Sequence, residues 1–339
     1  QNWQKLCGNF LFFAGSSTSS VRPAHFPAPE IRIASGRHIP ARPILHRDIV
    51  RIAVCQHTSC SGFSLLTCSY NKIIKIIPQF CSVKYISSLQ NPLIKKVLQL
   101  QEKSRVRTAE NLFVIDGWKE TQMAIDNGFE IDTILYRKGF GLNFDELTTE
   151  NAIEISEDVF EKISYRGNTS KVVSLAKPKT TALSGLDLSV HPLIVVVDGV
   201  EKPGNLGAIL RIADAAGITG VICCDTKTDI YNPNVIRSSV GCIFSKPVVL
   251  ASKEDTLAFL TSGNVRIYTT SLKAAVSYLE ADYTVPTAIV LGTEATGVDP
   301  FWEENSTRNI IIPMRGQNDS LNVSNTAAIV LFEALRQRN

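Results

Sequence analysis

The chain has 339 residues, 44% of them hydrophobic and 20% charged, the balance of a globular protein long enough to bury two cores. No run reaches the roughly 18 apolar residues that a membrane-spanning helix needs, so neither a span nor a membrane partner is expected. The formal net charge of +3 conceals an uneven distribution: residues 1–82 hold nine Lys or Arg against two acids, Glu30 and Asp48, a balance of +7, and the remainder carries 26 basic against 30 acidic side chains, or −4. The body is therefore not a general polyanion binder, and any affinity for RNA has to come from local patches.

Residues 1–82 mix scattered Pro, Ser and Arg with a short apolar stretch at Phe10 to Ala14, and show no persistent helical or strand period. They are expected to be an organellar transit peptide or sequence translated from upstream of the true start. The second reading is favoured, because well-patterned sequence begins abruptly at Val83-Lys84-Tyr85-Ile86 and the first methionine is Met123, inside a predicted helix. Neither reading gives the segment a catalytic role. The protein is expected in the cytoplasm, or in a mitochondrion or plastid if the leader is a genuine transit peptide.

Five of the eight cysteines (Cys7, Cys55, Cys60, Cys68, Cys81) lie in that leader, while Cys223, Cys224 and Cys242 sit in the body. The body cysteines have apolar, strand-like surroundings, where free cysteine acts as a small core residue, and a reducing compartment fits them best. Cys55, His57 and Cys60 lack a matched second pair, so no metal is expected.

From Ser87 the pattern becomes regular. Asn91-Pro92 is a good helix start, with a capping side chain and Pro at the first helical position, and Leu93, Val97, Leu98 and Leu100 supply an apolar face. A strand at Leu112 to Ile115, a helix at Trp118 to Asp126, strands at Ile131 to Tyr136 and Ala152 to Ile155, a helix at Glu157 to Ile163 and a strand at Val172 to Leu175 follow. This alternation predicts a small α/β domain over residues 83–176. Its cations concentrate at the start: Lys84, Lys95, Lys96, Lys103, Arg105 and Arg107, with only Glu102 among them before Glu110. Such a density can neutralise several phosphates, which makes Lys95, Lys96, Lys103, Arg105 and Arg107 the expected RNA contacts outside the active site; a solvated helix face is the alternative.

Residues 177–191 are polar, contain turn formers, and read as a linker. Beyond them, over residues 192–339, strands near 193, 220, 247, 265, 287 and 309 alternate with helical segments near 206, 235, 253, 274, 300 and 324. That is the pattern of a parallel sheet with helices on both faces, and by itself it predicts a doubly wound, unknotted fold. The usual dinucleotide fingerprint and the phosphate loop are absent: the first strand runs into Gly204-Asn205-Leu206-Gly207. An adenosyl cofactor held largely by backbone groups fits these turns better.

Three turns beyond strand ends carry the chemistry. The first is Asn205-Leu206-Gly207-Ala208-Ile209-Leu210-Arg211, and the second is Leu291-Gly292-Thr293-Glu294-Ala295-Thr296-Gly297. The third is Ile312-Pro313-Met314 with Ser320-Leu321-Asn322-Val323-Ser324. Glycine-rich turns at the carboxyl ends of parallel strands line the edge where open α/β sheets bind ligands, and a polar helix start presents free amides to a polar or anionic ligand. In order and spacing the three resemble the motifs of the SpoU (TrmH-like) family of RNA ribose 2′-O-methyltransferases, within the SPOUT superfamily. Asn234 to Gly241, with Arg237 and Ser239, resembles the family's intermediate segment. Ser88 to Pro92 and Phe113 to Gly117 resemble the start of its substrate-binding domain, with Asp116 where glutamate is the commoner residue.

The resemblance implies a fold that periodicity does not show: an α/β, parallel-sheet C-terminal domain with a C-terminal trefoil knot that binds S-adenosyl-L-methionine, preceded by the small α/β substrate-binding domain. It implies methylation of a ribose in RNA, ribosomal RNA being favoured by the separate N-terminal domain. The alternatives are a transfer-RNA 2′-O-methyltransferase or a catalytically inactive RNA-binding protein of the same fold. It assigns catalysis to Arg211, Asn205, Ser320, Asn322 and Glu294, cofactor contacts to Thr270, Gly292, Gly297, Ile312, Met314 and Leu321, and no metal. It also implies a homodimer through residues 192–339. The apolar residues Val323, Ala327, Ala328, Val330, Leu331 and Leu335 are expected to serve both the helix's own sheet and a neighbour.

Overall fold

The structure is a computed structural model that describes residues 84–140, 151–165, 170–273, 276–293 and 296–339. The leader, with Cys55, His57 and Cys60, lies outside the described residues, as does Glu294.

The first half runs β1 (Lys84–Ile86), α1 (Pro92–Glu102), α2 (Ser104–Glu110), β2 (Phe113–Asp116), α3 (Trp118–Asp126), β3 (Ile131–Arg137), β4 (Ala152–Ile155), α4 (Glu157–Ile163) and β5 (Val172–Ala176). Asn91 caps α1 by accepting from the Leu93 N–H at 2.9 Å, and Pro92 occupies the first helical turn, where its missing N–H costs nothing. Helix α2 stops at Asn111, which adopts the left-handed conformation that asparagine tolerates. The strands form a five-stranded mixed sheet of order β1-β4-β3-β5-β2, with β5 antiparallel to both its neighbours. One face buries Val114, Leu135, Val173 and Leu175 against Ile94, Val97 and Leu100 of α1 and Val159, Phe160 and Ile163 of α4.

The second half runs β6 (Leu193–Asp198), α5 (Pro203–Ala215), β7 (Gly220–Cys224), α6 (Pro233–Ser239), β8 (Val248–Ala251), α7 (Lys253–Ser262), β9 (Arg266–Thr270), β10 (Val276–Ser277), β11 (Thr287–Leu291), α8 (Pro300–Asn305), β12 (Arg308–Ile311) and α9 (Val323–Arg338). Its seven strands are all parallel, in the order β10-β12-β9-β11-β6-β7-β8. Both faces are covered, which is why β6 is apolar from Leu193 to Val197 and β11 from Ala288 to Leu291: Leu193, Val195 and Val197 point to one core, and Ile194 and Val196 to the other, which holds Trp302 and Leu260. Cys223 and Cys224 belong to these cores, and burial pushes both thiols up to about 12, so they stay protonated and inert.

One expectation changes. The helix expected near 274 is replaced by β10 and a single 3-10 turn, Tyr278–Glu280. β-Branched Val276 pairs with Ile310 instead, giving the edge of β12 a hydrogen-bonding partner. In α9, Val323, Ala327, Val330 and Leu331 are consumed by the protein's own core, whereas Phe332 is 51% exposed.

The two sheets share one continuous core. The second face of the first sheet, with Phe113, Ile115, Ile134 and Ala176, merges with the α5, α6 and α9 side of the second. At the seam the Phe113 ring stacks on Tyr231 at 4.4 Å, and Phe129 and Phe244 meet edge to face at 5.0 Å. The Tyr231 hydroxyl donates to the Lys179 carbonyl and accepts from the Lys179 N–H, so residues 177–191 are not a free tether. Leu186 is buried, and Thr181 forms an isolated bridge to Val249.

Arg107 is removed from the expected RNA contacts. It is 4% exposed; its Nε pairs with Asp229 Oδ2 at 2.5 Å, and its Nη1 donates to the Leu100 carbonyl at 2.6 Å. It joins α2 to the second half, and the spacing of cations alone could not distinguish a seam arginine from a surface one. Lys95, Lys103 and Arg105 are exposed, and Lys96 pairs with Glu110 at 2.6 Å. Removing one partner of a buried ion pair strands the other, so Arg107→Met is expected to lower stability by about 3 kcal/mol, and Lys103→Met by less than about 0.5 kcal/mol. Denaturant unfolding followed by circular dichroism tests this; equal midpoints for the two variants contradict the seam.

Candidate functional site

Strand β11 is inserted between β6 and β9, so the turns after β9, β11 and β12 gather at one edge, the carboxyl ends of the strands. A cavity of about 630 Å³ opens there, lined among others by Thr270, Gly292, Gly297, Ile312, Met314, Ser320, Leu321 and Asn322. All six expected cofactor residues and two of the expected catalytic ones thus meet in one place, across 52 residues of chain from Thr270 to Asn322. The volume is that of a small-molecule site.

The floor is made of backbone. A Cβ at Gly292 would fall inside contact distance of the Gly297 carbonyl and of the Val298 nitrogen, so only glycine allows β11 to end there. The loop is closed by the Thr293 N–H donating to the Gly297 carbonyl at 2.8 Å and the Thr296 N–H donating to the Thr293 hydroxyl at 3.0 Å. Its far end is anchored by Asp299, which caps α8 by accepting from the Phe301 N–H at 2.8 Å and pairs with Lys253 at 2.8 Å. That hydrogen bond from Lys253 holds the Asp299 carboxyl below its ordinary range. Behind it lies buried Asp198, whose pKa is raised by burial, Lys253 opposing the rise. Thr270 donates its hydroxyl to the Val290 carbonyl at 3.0 Å, tying β9 to β11 beneath the cavity.

The wall is apolar where the third motif passes. Leu321 is 36% and Leu272 57% exposed, and both line the cavity, as does Tyr278. Apolar side chains held open beside backbone amides suit a flat, weakly polar ring. Glu303 adds a carboxylate to the wall, accepting from the Ser271 hydroxyl at 2.6 Å with Lys273 Nζ 3.6 Å away. Sequence reasoning missed Leu272, Tyr278 and Glu303, since each lies outside a glycine-rich turn and reaches the site only through strand order.

Asn322 caps α9, its Oδ1 accepting from the Ser324 N–H at 2.9 Å, and its Nδ2 donates to Asn205 Oδ1 at 3.2 Å. Residues 117 positions apart are thereby joined side chain to side chain at the starts of α5 and α9. Gly207 lets α5 approach α6 closely: a Cβ there would lie 2.6 Å from the Val235 carbonyl. Ser320 bonds Asp319 Oδ1 at 3.2 Å at the rim. Arg211 is not brought into the cavity. It stands exposed on α5, about 9 Å along the axis from Asn205 at 1.5 Å rise per residue.

The description "SpoU rRNA Methylase family" matches residues 192–332, and "MRM3-like substrate binding domain" matches residues 91–174. A solved structure described as an RNA 2′-O ribose methyltransferase is 39% identical, covers 75% of this chain and 99% of its own, and superposes with a TM-score of 0.66. The chain belongs to the SpoU rRNA methylase family. An AdoMet-bound rRNA methyltransferase from Sinorhizobium meliloti is 30% identical over 75% of this chain and 98% of its own, with a TM-score of 0.70. A 23S rRNA (guanosine(2553)-2′-O)-methyltransferase of Bacillus subtilis is 29% identical over 250 residues, 74% of this chain and 98% of that protein.

The family's cofactor is S-adenosylmethionine, and the residues present fit it: main-chain groups at Gly292, Gly297 and Val298 would take its polar edges, and Leu321, Ile312 and Leu272 would cover its flat faces. Gly292→Val is expected to abolish S-adenosylmethionine binding in calorimetry, whereas Gly204→Ala, where a Cβ meets nothing within 4 Å, should leave it unchanged. Retained binding in Gly292→Val would place the cofactor elsewhere.

Proposed function

We propose that this chain transfers the methyl group of S-adenosylmethionine to a ribose 2′-hydroxyl in ribosomal RNA. The observation that carries the reading is the convergence of the second and third family motifs on one cavity, to which the first is joined by the Asn205–Asn322 hydrogen bond. Relatives whose descriptions name 23S rRNA match both halves of the chain, which favours ribosomal over transfer RNA. In this reading residues 83–176 bind RNA, residues 177–191 connect, and residues 192–339 form the catalytic part.

The bound cofactor supplies an electrophilic methyl on sulfur. The protein's part is to bring the ribose oxygen in line with that methyl, to exclude water and to help the hydroxyl proton leave. Asn205 and Asn322 present paired amides, and the second N–H of the Asn322 amide can orient a ribose or phosphate oxygen. Ser320, exposed at the rim, accepts or relays a hydrogen bond from the ribose. Arg211, always charged and on the solvent side of α5, holds a phosphate of the RNA and leaves the cofactor untouched. Glu294, in the second motif, is assigned to ordering the cofactor loop.

The reading extends to the knot and the dimer. The stretch from Ile312 to Asn322 leaves β12 and lines the same cavity as the ends of β9 and β11, and α9 then packs on α5 and β11; that path supports a trefoil threading. The half-exposed Phe332 on α9 supports pairing of two copies through this helix, as an apolar residue left over after the helix has filled its own core.

With tritiated S-adenosylmethionine and unmodified ribosomal RNA, the wild-type chain is expected to label the ribose, read as a nuclease-resistant dinucleotide. Arg211→Ala should lower the rate at least about a hundredfold, the scale of losing a positioning group, with cofactor affinity within about twofold. Wild-type turnover in that variant would remove Arg211 from the mechanism. Light scattering on residues 192–339 should give a dimer, and Phe332→Lys a monomer; a wild-type monomer would exclude the proposed pairing.

A further inference from the structure

Asp116 stands where the family more often has glutamate, and its surroundings show what the side chain does here. It closes β2 and receives the end of α4: the Tyr165 N–H donates to its Oδ2 at 2.7 Å and the Ser164 hydroxyl donates at 3.1 Å. From the other side, the Gln101 amide of α1 donates to the Ile163 carbonyl at 2.5 Å. The last turn of α4 is therefore held from two directions, yet the Tyr165 ring remains 46% exposed. The fold has spent several hydrogen bonds on fixing the backbone of a residue whose aromatic face it does not bury.

The setting of that ring is cationic. Lys103, between α1 and α2, Arg105, in the first turn of α2, and Arg237, in the last turn of α6, are all exposed. Burial, aided by Glu102, raises the Tyr165 phenol pKa, and the charges of Arg107 and Arg237 oppose that rise. Arg107 is spent on Asp229, whereas Arg237 points to solvent. Helix α6 packs directly on α5, which carries Asn205 and Arg211, and on β2, which ends at Asp116. Tyr165 and Arg237 therefore lie between the basic α1–α2 turn and the helix of the methyl-transfer site. A half-exposed ring with its backbone held, and an exposed guanidinium on the helix packed against the same strand, can take an unpaired nucleotide, base on the ring and phosphate on the cation.

We propose that Tyr165 is a stacking platform for one unpaired base of the RNA substrate and that Arg237 holds that nucleotide's phosphate. The proposal rests on the RNA-methylating reading and assigns where the strand crosses from the N-terminal sheet to the catalytic sheet. Neither residue touches the cofactor cavity.

The test uses the full chain and a labelled single-stranded oligouridylate, followed by fluorescence anisotropy. Tyr165→Ala is expected to weaken binding about tenfold, the scale of one lost base stack, while Tyr165→Phe stays within about twofold. Arg237→Gln should weaken binding and reduce the salt slope by about one counterion. Cofactor affinity in Tyr165→Ala should be unchanged, which separates a lost platform from a damaged fold. Substituted with 5-iodouridine, the same RNA should cross-link at Tyr165. Unchanged affinity in Tyr165→Ala, or a Phe variant as weak as the Ala variant, overturns the platform. Failure of the wild-type chain to methylate ribosomal RNA overturns the enzymatic reading instead, and the Tyr165 comparison still decides the platform.

Discussion

The site depends on the insertion of β11 between β6 and β9. A parallel strand in the middle of a sheet must hydrogen-bond on both sides and bury both faces, and Thr287 to Leu291 does so with all five residues buried. That placement fixes where the chain re-emerges, at Gly292, next to the exits of β9 and β12. The cavity follows from this geometry: its floor is the close backbone approach at Gly292, its wall the segment that returns from β12 to α9, and its mouth the asparagine pair at the starts of α5 and α9.

The cavity has a backbone floor and side-chain walls. Main-chain groups at Gly292 and Gly297 do not titrate, and the titratable groups stand around them. Asp198, Lys253 and Asp299 stabilise the loop from behind, and Glu303 and Lys273 form part of the wall. The exposed cations proposed to face RNA are separate again. They sit on α1, α2, α5 and α6, where they meet solvent, so a body of net negative charge can still bind a polyanion along a local path.

That path needs the two sheets at a fixed angle, and the seam supplies the constraint. The Phe113–Tyr231 stack, the Phe129–Phe244 contact and the Arg107–Asp229 pair join elements from either half in one continuous core.

Much of this was legible in residue order. Asn91-Pro92, the bounds of α3, β4 and α4, the parallel pattern after residue 192 and the three ligand turns follow from local rules, since caps, β-branched runs and glycine turns act over a few residues. What stayed hidden involves partners far apart in the chain. Arg107 read as one more surface cation because its partner, Asp229, lies 122 residues away, and the helix expected near 274 gave way to a strand because β12 offered an edge to pair with. In α9, Val323, Ala327, Val330 and Leu331 face the helix's own sheet, a division of its apolar residues that periodicity alone does not show. Glu303, Leu272 and Tyr278 became cavity residues only once β11 had taken its place. Local preference names the turns, but which turns face one another is decided by strand order, and strand order is set by burial summed over the whole sheet.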